Sequence, residues 1–102
     1  MQQMIDDEQY NNFIQEIGET FLQLQDMAYQ QYKLIAYSLC SRNADEKEVA
    51  YVLDRLVSFC DSEKNLALFK MICRRYLALY PDLIEYEIQT YREMFDSDQE
   101  NN

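Results

Sequence analysis

Three cysteines, nineteen carboxylates and no histidine bound the chemistry open to this chain. Without an imidazole there is no Ser–His–Asp triad, no Cys–His pair and no Glu-x-x-His metal motif. Cys40, Cys60 and Cys73 each fall inside a helical pattern, at spacings that match neither a zinc site nor a redox pair. They read as core thiols, because a free Cys behaves as a small buried hydrophobe. A single Gly leaves no phosphate-cradling loop. Asp6-Asp7-Glu8 lacks the spaced ligands and turn Gly of a calcium loop. Carboxylate pairs remain as acid–base tools, but with nineteen acids some pair is always near. The expectation is a protein that is not an enzyme and uses no cofactor and no metal.

Charge layout says more than charge total. The net charge is −10, from nineteen acids against nine bases. Residues 1–32 hold six acids and no base, residues 33–75 six acids and eight bases, and residues 76–102 seven acids and one base, Arg92. The ends are therefore −6 each and the middle is +2. Direct nucleic-acid binding is disfavoured, because phosphate neutralisation by Lys and Arg dominates it. An anionic membrane surface repels the chain for the same reason. A basic protein is the attractive partner. The plainer reading of the acidity is solubility.

Two acidic stripes lie opposite apolar ones. Glu8, Glu16, Glu19 and Asp26 share a side with Asn12, Gln23 and Gln30; Asp82, Glu85, Gln89, Glu93 and Asp96 form the second stripe. Tyrosine adds to them. Most aromatics fall on core stripes, but Tyr51 points with Arg55 and Ser58, and Tyr86 lies opposite Ile84 and Ile88 among acids. Exposed Tyr beside acid suits a protein interface. The expected partner-binding residues are thus Glu19, Asp26, Tyr51, Glu85, Tyr86 and Glu93. Lys70 and Arg74 share a narrow polar strip. Arg75 falls in the row Leu68, Ile72, Arg75, Leu79 and is expected to pair with an acid of a neighbouring helix, or else to hold a phosphate or acidic ligand.

Positioning these residues falls to helices. One Gly and one Pro in 102 residues argue against a turn-rich β fold. Apolar residues recur at Tyr10, Ile14, Ile17, Phe21, Leu24, Ala28, Tyr32, Ile35 and Leu39, in steps of three and four. This predicts one long helix over 5–41, bent at Gly18 or divided there into two. A straight helix of that length spans roughly 55 Å, wider than a 100-residue globule. Either it bends, or its end projects and needs a partner. A polar break follows, with Asn43 or Asp45 as the cap. The second helix covers 45–60, with Val49, Val52, Leu53, Leu56 and Cys60 inward. Asp61-Ser62 caps the third, 62–80, which is apolar nearly all round and belongs in the middle. Pro81 opens the fourth, 81–96, on Leu83, Ile84, Ile88, Tyr91 and Phe95. Residues 97–102 read as a frayed polar tail. Phe69, Ile72, Tyr76, Leu53 and Leu56 are the expected core.

The whole chain, 1–102, is therefore read as one all-α domain: a small antiparallel bundle of about four helices. No apolar run spans a membrane, and the acidic N-terminus does not resemble a signal peptide. With an odd cysteine count this points to the cytoplasm. By analogy of size and charge, the leading expectation is an acidic inhibitor or regulator of a basic, nucleic-acid-handling protein such as a nuclease, of the phage anti-defence or nuclease-immunity type. The alternative is a structural helical subunit or adaptor that homodimerises or joins a larger assembly.

Overall fold

Asp45 and Ser62 decide where two of the helices begin. Each sits in extended backbone and accepts from the amide three residues on: Asp45 from Glu48 and Ser62 from Asn65. These side chains satisfy amides that have no partner within the helix. The computed structural model describes residues 7–95. Its order is α1 (Asp7–Cys40), α2 (Glu46–Leu56), a 3-10 turn (Val57–Phe59), α3 (Glu63–Tyr76) and α4 (Pro81–Phe95). Among the described residues there are four α-helices and no strand, an all-α bundle as the periodicity predicts. The expected tail, 97–102, lies outside the described residues.

α1 is a single helix that runs unbroken through Gly18, and a Cβ there would meet nothing within 4 Å. α3 is central, touching α1, α2 and α4. The core joins Leu39 of α1, Val49, Leu53 and Leu56 of α2, Phe69, Ile72 and Tyr76 of α3, and Ile84 of α4. All five residues expected in the core are buried. α3 is shorter than its apolar pattern predicts. It ends at Tyr76, whose carbonyl accepts from both Leu79 and Tyr80 in a closing turn. Leu77 and Leu79 therefore face outward, contrary to the all-round reading.

The connection between α1 and α2 is held from α3. The Arg75 guanidinium donates to the Cys40 carbonyl at 2.9 Å, and to the Arg42 carbonyl and Asn43 Oδ1 at 2.8 Å. It caps carbonyls left open at the end of α1, where a cation is also favoured by the helix dipole. This corrects the expectation that Arg75 pairs with an acid or holds an anionic ligand. Its neighbour Tyr76 is fully buried, and the Tyr76 hydroxyl accepts from the Ala44 amide at 2.9 Å. Its single proton faces the Leu39 and Arg42 carbonyls at 2.6 and 2.7 Å. The Tyr80 hydroxyl donates to the Ala44 carbonyl at 2.8 Å.

Candidate functional site

The apolar stripe of α1 is only half used. From Gln25 onward it meets α2 and α3, with Ala28, Ala36 and Leu39 buried and Tyr29, Tyr32 and Ile35 half-buried against the core. Residues 7–24 touch no core, and every one of them is exposed. They form an arm about 27 Å long at 1.5 Å per residue. The molecule measures 61 × 37 × 23 Å, and its radius of gyration is 17.9 Å. A compact chain of this size has about 13 Å. The arm presents Tyr10, Phe13, Ile14, Ile17, Phe21 and Leu24, from 47% exposed at Ile14 to 57% at Tyr10 and Phe13. Monomeric soluble domains rarely present a contiguous apolar face of this extent. Its flanks carry Asp7, Glu8, Glu16 and Glu19 and no base.

The sequence pattern located this stripe but not its register at the junction. Leu24, on the apolar stripe, is exposed, whereas its polar neighbour Gln25 is buried. The Gln25 carbonyl accepts from the buried Asn65 amide at 3.1 Å, and its side-chain amide donates to Asp61. A polar clamp thus fixes the point where the arm leaves the bundle.

A second feature lies between α3 and α4. Leu66, Phe69, Cys73, Ile88 and Tyr91 line an open cavity of about 400 Å³, and Lys70, Arg74 and Arg92 border it. The other cations are mostly engaged. Arg42 forks onto Glu48 at 2.6 and 3.0 Å, Arg75 holds carbonyls, and Arg55 stacks 3.8 Å over the Tyr51 ring. Lys33 and Lys64 lie 5.8 and 5.3 Å over the Tyr29 ring. Among the described residues Lys70, Arg74, Arg92 and Lys47 make no hydrogen bond, ion pair or ring contact. Three of these four border one cavity. The i, i+4 spacing of Lys70 and Arg74 was visible in the sequence; the arrival of Arg92 from α4 was not.

The six residues expected to bind a partner are all exposed, on three helices. Glu19 is on the arm, accepting from Gln15 at 3.3 Å, and Asp26 is two turns beyond. Tyr51 is on α2. Glu85, Tyr86 and Glu93 are on α4, with Glu93 accepting from Gln89 at 3.4 Å. No hydrogen bond, ion pair or ring contact joins any two of the six.

Sequence reasoning missed Glu87. It is 1% exposed on α4, and no donor reaches either of its carboxylate oxygens. Burial, then the facing Asp54 carboxyl of α2, pushes its pKa up to about 8. Both causes favour the protonated form of the Glu87 carboxyl. Its place one turn after Leu83 and Ile84 and one turn before Tyr91 was the available signal. Cys60 and Cys73 are pushed up to about 12, first by burial, and stay as unreactive thiols at neutral pH. Among the described residues no cluster of His, Cys, Asp and Glu has metal-holding geometry. No described helix is long and apolar enough to cross a membrane. Compared with known proteins, the chain matches no family model, no curated protein and no solved structure.

Proposed function

We propose that this protein is a non-enzymatic assembly module that associates with further copies of itself through the apolar face of the α1 arm. One observation carries the reading. Six large apolar residues, at helical spacing, face water along the half of α1 that leaves the bundle. The core does not need them, because α1 closes it with residues from Ala28 to Leu39. An amphipathic arm of this kind suits helix-in-groove association. This favours the structural-subunit alternative over the inhibitor reading.

Sedimentation velocity on the parent and on a Phe13→Gln, Ile17→Gln, Phe21→Gln variant tests it. The parent should associate at micromolar concentration. The variant should be monomeric and melt where the parent does when too dilute to associate, since the arm supports no core. A parent that stays monomeric at high concentration contradicts the reading.

A second reading rests on the exposed acidic faces. Glu85, Tyr86 and Glu93 on α4, with Glu19 and Asp26 on α1, would dock on a basic protein, in the manner of a regulator of a nuclease or other nucleic-acid-binding protein. Such docking weakens steeply with salt, whereas apolar arm association does not.

A further inference from the structure

We infer that the acceptor for the arm is the α3–α4 cavity of a second copy, so that the arm of one molecule lies across Lys70, Arg74 and Arg92 of the other. This rests on the self-association proposed above and names its surface. Two arms paired side by side would bring eight acids and no base together along one seam. Like charges at such an interface cost affinity and disfavour that pairing. Among the described residues, the α3–α4 cavity answers the arm in both shape and charge. Leu66, Phe69, Ile88 and Tyr91 supply an apolar floor, and three otherwise unengaged cations supply the rim. The arm supplies the complement: Phe13 and Ile17 as apolar anchors, with Glu16 between them and Glu19 one turn from Glu16. A cavity of about 400 Å³ takes one or two such side chains. Within one molecule the arm leads away from the bundle, so the acceptor belongs to another copy. Reciprocal exchange of arms closes a two-fold dimer and uses each surface once per chain.

A charge swap tests the assignment. The arm variant carries Glu16→Lys and Glu19→Lys; the cavity variant carries Lys70→Glu and Arg74→Glu. All four positions are exposed, so circular dichroism, and melting at concentrations too dilute for association, should match the parent for both. Each variant alone should associate at least about tenfold more weakly than the parent, because the rim pairs become repulsive at both contacts of the dimer. An equimolar mixture should recover parental affinity, since every arm then meets a cavity of opposite charge. Zero-length carbodiimide coupling should join Lys70 of one copy to Glu16 or Glu19 of an isotopically labelled second copy. Failure of the mixture to recover, or coupling of Lys70 only to Asp96, Asp98 or Glu100, overturns the inference. If the apolar arm variant dissociates while the cavity variant assembles like the parent, arm-driven association stands and this acceptor is wrong. If the parent does not associate at all, both fall.

Discussion

The Glu87 carboxyl on α4 meets the Asp54 carboxyl on α2, and Glu87 is buried without a donor to either oxygen. Burial first, and the neighbouring carboxyl second, disfavour the charged form of Glu87. Folding therefore raises the Glu87 pKa from 4.5 to about 8.

That relationship sets a pH dependence. The folded pKa is raised, so the folded state binds more protons than the unfolded one between about 4.5 and about 8. Stability should fall as pH rises through that window and level off above it. Urea unfolding at pH 5.5 and pH 8.5 should show a higher midpoint at the lower pH. Glu87→Gln should remove most of the difference and stabilise the protein at pH 8.5. An unchanged slope in the variant would assign the effect to other groups.

Tyr76→Phe deletes one oxygen that serves Ala44, Leu39 and Arg42. The Ala44 amide would lose its partner in a buried site. A loss of about 1–3 kcal/mol is expected for an unsatisfied buried group. Guanidinium unfolding measures it. A loss below a few tenths would mean that water replaces the hydroxyl.

Phe69→Ala tests the centre of the core. Phe69 is buried on α3, and its ring lies 6.1 Å from that of Tyr91 on α4. The cost should be about 3–5 kcal/mol, much of a small domain's stability. Melting at the parental temperature would show that α3 is not central.

Gly18→Ala should stabilise the arm, not the bundle. Nothing stands within 4 Å of the new Cβ, and Ala is favoured over Gly in a helix interior by about 1 kcal/mol. Helical content should rise slightly while the cooperative melting temperature stays fixed. A fall in either would mean that Gly18 is needed for close contact with another chain.

Most of the bundle was legible from periodicity and caps. Asp45, Ser62 and Pro81 each begin a helix where their chemistry predicts. What was not legible depends on tertiary partners. The stripe from Tyr10 to Leu39 is equally apolar throughout, so nothing local says that its first half is left bare. Arg75 breaks its apolar row because it serves the end of α1, thirty-five residues away at Cys40. The Glu87 site requires α2 and α4 to meet. The cation rim likewise needs Arg92 of α4 to meet Lys70 and Arg74 of α3. Of the expected binding residues, Glu19 is the one on the arm; the others lie on faces whose partners the helical pattern cannot name.

Hydrogen exchange along α1 tests the central claim most directly, with amides 7–24 followed as protein concentration rises. An unpacked arm should exchange fast on its own, because helical stability comes mostly from tertiary packing. The account predicts that these amides become protected as concentration rises, while those of residues 28–39 stay protected throughout. Equal, fast exchange of 7–24 at every concentration would contradict it.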